Sequence, residues 1–79
     1  MVERDIAVIV TTVGRVQADP DKLDPVANLF DLGMSSFHAV QVMLALEDKF
    51  EIQFPDEFLR KEHFTSVRAL ESAIRAIRA

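Results

Sequence analysis

Asp31-Leu32-Gly33-Met34-Ser35-Ser36-Phe37 is the stretch of this sequence from which the fold is best inferred. It places a glycine, two adjacent serines and an aromatic residue where a polar loop meets a strongly apolar segment. A serine at a helix start accepts a hydrogen bond from an amide that the first turn leaves free. Ser35 can therefore cap a helix while Ser36, one residue further in, points its hydroxyl at solvent. On these residues alone, two capping serines are the simpler interpretation.

The helix that this stretch opens is predicted to begin at Ser36 and to end near residue 50. It carries two apolar stripes at helical spacing. The stripe expected to face the core has five members: Ala39, Val42, Met43, Leu46 and Phe50. The second stripe lies on another face and has three members: Phe37, Val40 and Leu44. Gln41 and Asp48 share that face, which is either buried under a loop or exposed for a partner. Of the three, we expect Val40 to be the most covered.

Before this stretch, residues 2–13 predict a first helix with one apolar face. Their β-branched residues also favour a strand, but no second strand-like run is available to pair with them. Gly14 can end this helix. Residues 15–34 are predicted to form a long loop, because they contain two Asp-Pro turn signals. We expect several apolar side chains of the loop to pack on the helices, from the set Leu23, Val26, Leu29, Phe30 and Leu32.

After the second helix, residues 51–54 form a short extended link to Pro55. Acids following this proline favour a helix start, since they lie near the positive end of the helix dipole, and predict a short helix over residues 56–61. The last helix is expected to begin near Thr65-Ser66 and to end near residue 77. The predicted fold is therefore all-α, with three longer helices, one short helix and a long first loop. We expect a single domain over residues 1–79.

Composition excludes several classes of function. The chain has no cysteine, so disulfides, thiolate zinc sites and cysteine nucleophiles are absent. His38 and His63 are too far apart in sequence to suggest a metal site, and no nucleophile–base or phosphate-loop pattern predicts an enzyme. A net charge of −4 argues against nucleic acid as a partner. No apolar run approaches the roughly 20 residues of a membrane span, and no secretory signal is evident. We expect a cytoplasmic monomer.

These residues closely resemble the acyl carrier proteins, also called phosphopantetheine carrier domains. The resemblance runs through five segments: residues 31–37, Val40, residues 45–50, residues 52–57 and residues 65–67. It implies a carrier-type four-helix bundle without catalytic activity. It also implies that Ser36 holds a covalent 4'-phosphopantetheine arm, which a phosphopantetheinyl transferase attaches from coenzyme A. The terminal thiol of the arm would carry an acyl group as a thioester. Gly33 is expected to allow a tight approach of loop to helix.

Departures from the family pattern point to a specialised carrier. Ser35 stands where the family usually has an aspartate, and Phe37 stands where it usually has a leucine. His38 and Gln41 occupy positions that are commonly acidic. Docking by basic partners is therefore expected to be weaker, or shifted toward acids further along the chain. Those acids are Glu47, Asp48, Glu51, Asp56 and Glu57.

The Gly33-Met34-Ser35-Ser36-Phe37 variant is similar to bacterial stand-alone carriers that accept an amino acid from a ligase related to class II seryl-tRNA synthetases. The resemblance therefore implies an aminoacyl carrier. The alternatives are a carrier for fatty-acid, polyketide or other acyl-chain synthesis, served by acyl-transfer or synthase enzymes, and a small helical regulatory domain. We expect partner enzymes to bind around Ser36, at Ser35, Phe37, Val40, Gln41, Leu44, Glu47 and Asp48.

Overall fold

The computed structural model describes residues 2–79, which form three α-helices joined by loops and turns. The helices are α1 (Val2–Thr12), α2 (Ser36–Phe50) and α3 (Val67–Arg78). Two 3₁₀ turns, Asp56–Phe58 and Lys61–Phe64, lie between α2 and α3. No strand occurs in these residues, so the all-α prediction is confirmed. None of these helices is long and apolar enough to cross a membrane.

The short helix predicted over residues 56–61 is replaced by the two 3₁₀ turns. In the first turn the Phe58 N–H donates to the Pro55 carbonyl over 2.9 Å, and the Leu59 N–H donates to the Asp56 carbonyl over 3.0 Å. Such i to i+3 bonds are typical of 3₁₀ structure and rarely extend beyond a few residues. Leu59 then leaves the helical region and Arg60 is extended, so the first turn ends there. The pair of turns takes the place of the fourth helix.

The core lies between the three α-helices and the first loop, with α1 packed against both α2 and α3. Its fully buried side chains include Ile6, Val10, Leu29, Val42, Leu46, Leu70 and Ile74. Burying each such side chain contributes about 1.5–3 kcal/mol to folding. The apolar face predicted for α1 and the core-facing stripe predicted for α2 are therefore confirmed.

The first loop, which connects α1 to α2, is held against the start of α3. The Leu29 N–H donates to the Thr65 carbonyl over 2.7 Å, and the Leu29 side chain is fully buried. Three other loop residues pack partly against the core: Leu23, Phe30 and Leu32. Val26 is 61% exposed and does not take part. The expected packing of the loop on the helices is thus confirmed for four of its five apolar residues.

Gly14 follows α1 and packs between α1 and α2. A Cβ atom at this position would lie 2.6 Å from the Val10 carbonyl oxygen and 2.8 Å from Val42 Cγ2. Gly14 lies just beyond the end of α1, as predicted, and the next residue, Arg15, has the left-handed backbone conformation with a φ of 61°. Gly14 is therefore required because there is no space for a side chain, and Arg15 makes the left-handed turn.

We predict that Gly14→Ala lowers the free energy of unfolding by about 1–3 kcal/mol, because the added methyl group overpacks the contact with Val42. The measurement is urea unfolding followed by circular dichroism. Arg15→Gly is the matched control, since glycine adopts a positive φ without strain and stability should be equal or slightly higher. Equal stability of Gly14→Ala and the unchanged chain would contradict the steric role of Gly14.

Candidate functional site at the start of α2

Ser35 caps α2, as predicted. Its backbone is extended (φ −86°, ψ 168°), and its Oγ accepts a hydrogen bond from the His38 N–H over 3.1 Å. The same Oγ lies 2.8 Å from His38 Nδ1, so the hydroxyl is engaged by both the backbone and the ring of one residue. Ser35 is therefore committed to holding the first turn of the helix.

Ser36 is the first residue of α2 and is exposed. Its amide is among those that an α-helix leaves free at its N-terminus. These amides and the positive end of the helix dipole favour a negatively charged group at this position. His38 pairs through Nδ1 with Ser35 Oγ rather than with Ser36. Ser36 thus presents an accessible hydroxyl in surroundings that suit a phosphate ester.

The backbone before the two serines is fixed by Gly33 and Met34. Gly33 has a φ of 108°, which disfavours any residue with a side chain. A Cβ atom there would meet only ordinary contacts, at 3.5 Å or more. Our expectation that Gly33 allows a tight approach is therefore wrong, since the backbone conformation requires it. Met34 is buried, and its N–H donates to the Leu29 carbonyl over 3.1 Å.

The second apolar stripe of α2 is exposed, which decides between the two alternatives left open by the sequence. Phe37 is 68% exposed, and Val40 and Leu44 are each 50% exposed. Val40 is thus no more covered than Leu44, contrary to our expectation. We refer to Phe37, Val40 and Leu44 as the apolar ridge. It begins one residue after Ser36 and extends over two turns of the helix.

Two open depressions border the apolar ridge. A groove of about 300 Å³ lies beside Phe37, whose ring meets the His38 ring edge-on at 5.6 Å between centroids. Its lining comes from α2, the last residue of α1 and the turn that follows α1: Thr12, Val13, Arg15, Phe37, His38 and Gln41. An almost wholly apolar cleft of about 230 Å³ lies beside Val40. It is lined by Ala39, Val40, Met43, Leu59, Arg60 and Phe64.

The acidic residues predicted to bind partners do not lie at the start of α2. Glu47 is half-buried, and its Oε2 accepts a hydrogen bond from the Phe54 N–H over 2.8 Å. This carboxylate therefore fixes the link that follows α2. Asp48 is exposed, but it lies three turns along the helix from Ser36. The hydrogen bond between Glu47 and Phe54 could not be inferred from helical spacing, because Glu47 binds a backbone amide that lies beyond the helix.

No cluster of three or more metal-binding side chains occurs among residues 2–79. Comparison with protein families matches the phosphopantetheine attachment site family over residues 6–74, which is most of the chain. The chain belongs to this family of carrier proteins. The resemblance seen in the sequence is therefore confirmed, together with the covalent group that gives the family its name.

This carrier chain is similar to an aminoacyl carrier protein of Agrobacterium fabrum, with 36% identity over 69 residues, covering 87% of this chain and 83% of that protein. It is also similar to a chain in the crystal structure of an engineered Bradyrhizobium japonicum glycine:[carrier protein] ligase complexed with a carrier protein from Agrobacterium tumefaciens and ATP. There the TM-score is 0.90 at 34% identity, over 98% of this chain and 100% of that chain.

A third similarity is to a chain in the structure of the Bradyrhizobium japonicum glycine:[carrier protein] ligase complexed with glycylated carrier protein. The TM-score is 0.72 at 30% identity, covering 92% of this chain and 99% of that chain. The carrier-type helical fold is thus confirmed over nearly the whole chain.

We predict that Ser35→Ala destabilises this carrier by about 1 kcal/mol, because the His38 N–H loses its side-chain acceptor. Ser35→Asp should restore most of the loss, since aspartate also caps helices. Thermal unfolding followed by circular dichroism measures both. Ser36→Ala is the control and should unfold within about 0.5 kcal/mol of the unchanged chain, because Ser36 is exposed. A larger loss at Ser36 than at Ser35 would overturn the capping assignment.

Proposed function

We propose that this chain is an aminoacyl carrier, in which Ser36 holds a 4'-phosphopantetheine arm that carries an amino acid as a thioester. The observation that carries the proposal is the arrangement of the two serines in a member of the carrier family. Ser35 is engaged with His38, and Ser36 is exposed at the helix N-terminus. A phosphodiester on Ser36 Oγ would meet free amides and a favourable dipole.

Ser36 is also suited to modification by another enzyme. The hydroxyl is reachable from solvent, and activation is left to the phosphopantetheinyl transferase. The transferase moves the phosphopantetheine group from coenzyme A to Ser36 Oγ. In this role the chain positions the arm and is not itself a catalyst, and we place its work in the cytoplasm.

An amino acid as the cargo is supported by the relatives. The Agrobacterium relative at 36% identity is named an aminoacyl carrier protein. The similar solved chains come from complexes of a glycine:[carrier protein] ligase, one of them with glycylated carrier protein. We therefore propose an amino acid:carrier protein ligase as the enzyme that loads this chain. Seven residues around Ser36 form the proposed partner surface: Ser35, Phe37, Val40, Gln41, Leu44, Glu47 and Asp48.

The alternative is a carrier for fatty-acid, polyketide or other acyl chains. The apolar cleft beside Val40 favours it, because an alkyl chain gains free energy by leaving water, at about 25 cal/mol per Å² of buried apolar surface. The two functions differ in the cargo that partner enzymes transfer to the terminal thiol of the phosphopantetheine arm.

We predict that coexpression with a broad-specificity phosphopantetheinyl transferase adds one phosphopantetheine group to the chain. Intact-mass spectrometry measures the adduct. Ser36→Ala should remove it completely, whereas Ser35→Ala should retain it, because Ser35 serves the helix and not the arm. An adduct on the Ser36→Ala chain, or none on the unchanged chain, would show that Ser36 is not the attachment site.

We predict that the chain bearing phosphopantetheine on Ser36 accepts glycine from the Bradyrhizobium ligase in the presence of ATP. Mass spectrometry should show the added glycyl group, and neutral hydroxylamine should release it, since a thioester is cleaved by this reagent and an amide is not. The chain without the arm is the control. Efficient malonylation and chain extension by fatty-acid synthesis enzymes, with no glycyl transfer, would favour the acyl-chain alternative.

A further inference from the structure

The first three turns of α2 carry no formal charge. Residues 36–46 contain no Asp, Glu, Lys or Arg, although charged residues make up 28% of the whole chain. The one histidine among them, His38, pairs through Nδ1 with Ser35 Oγ. A partner enzyme that approaches Ser36 along this helix therefore meets a neutral surface.

The nearest acids on α2 are too far from Ser36 to attract a partner to it. Glu47 uses its carboxylate to fix the Phe54 amide. Asp48 follows Ser36 by 12 residues in sequence, which corresponds to about 18 Å along a helix axis at 1.5 Å per residue. Such a distance is more than twice the Debye length of about 8 Å at physiological salt. The field of these acids is thus largely screened at the attachment point.

The charged side chains that border the apolar ridge from other elements are mainly positive. Arg15 lines the groove at Phe37, and Arg60 lines the cleft at Val40. Two exposed acids lie near the ends of the ridge: Asp31 is in the loop before Ser36, and Asp48 follows Leu44 by four residues on the same helix face. A basic partner surface finds no acidic side chain on α2 between Ser36 and Leu46, so an apolar surface is the better match at Phe37 and Val40.

The apolar ridge lies where an enzyme receiving the arm has to bind. Val40 follows Ser36 by four residues and therefore shares its helix face. Leu59 is 47% exposed and forms part of the same cleft as Val40, which extends the apolar surface beyond α2. An active site that encloses an arm on Ser36 covers this surface.

We propose that the ligase which loads this chain docks on the apolar ridge through apolar contacts, so that recognition depends little on salt. This inference rests on the proposed aminoacyl function and adds the physical basis of partner choice. The occupant is an enzyme with a neutral, apolar depression beside the entrance for the arm. Phe37 is the expected centre of the contact, because aromatic side chains at the centre of an interface often dominate its binding energy.

The test is the kcat/KM of the Bradyrhizobium ligase for the phosphopantetheine-loaded chain, from roughly 25 to roughly 400 mM NaCl, over which the Debye length falls about fourfold. Glycyl transfer to free pantetheine corrects for the effect of salt on the ligase itself. The corrected kcat/KM should change by less than about threefold, whereas docking by charge pairs falls by about tenfold or more.

Variants give a second, independent measurement. Phe37→Ser and Leu44→Ser should each raise KM by about tenfold with kcat nearly unchanged. This is the effect of losing a contact that stabilises the bound ground state and the transition state equally. Val26→Ser is the matched control, because Val26 is an exposed apolar residue of the first loop. Asp48→Asn tests the charged alternative, because Asp48 is an exposed acid of the proposed partner surface, and it should raise KM less than Leu44→Ser does. Circular dichroism checks that each variant folds.

The possible outcomes separate the two proposals. Glycyl transfer that falls tenfold with salt, or that depends on Asp48 more than on Leu44, would overturn apolar docking and leave the aminoacyl function intact. An absence of glycyl transfer at every salt concentration would overturn the aminoacyl function together with the docking inference.

Discussion

The position of Ser36 on the molecule depends on how the first loop is fixed at Leu29. The Leu29 side chain is fully buried, and its N–H donates to the Thr65 carbonyl at the start of α3. Its own carbonyl accepts from the N–H groups of Leu32 and Met34. One buried residue therefore joins the first loop to the start of α3 and also fixes the segment that precedes α2. The helix start is held by the core rather than by its own turn alone.

The two adjacent serines have different tasks because their backbones differ. Ser35 is extended and sits before the helix, where its Oγ meets the amide and the ring of His38. Ser36 is one residue further along and already helical, so its hydroxyl has no part in the cap. The same residue type thus caps the helix at one position and presents an exposed hydroxyl at the next, where we propose that the arm is attached.

Much of this arrangement could be inferred from the sequence, because it depends on periodic apolar residues and on local capping. The bounds of α2, its core face and the Ser35 cap are of this kind. The exposure of the apolar ridge could not be decided, since it depends on the path of the first loop. The hydrogen bond between Glu47 and the Phe54 amide joins a helix to an irregular link, and no periodic sequence pattern predicts it. Gly14 and Gly33 were both recognised as special positions, but whether space or backbone conformation required them could be read only from the structure.

The apolar ridge also bears on how copies of this protein behave toward one another in solution. A permanently exposed apolar surface promotes self-association, above all in a crowded cell. The net charge of −4 opposes this, because similarly charged molecules repel each other. Asp19 and Glu57 are exposed acids outside α2, and Asp48 borders the ridge only beyond Leu44. The acidity of the chain therefore supplies colloidal stability without placing an Asp, Glu, Lys or Arg side chain in the first three turns of α2.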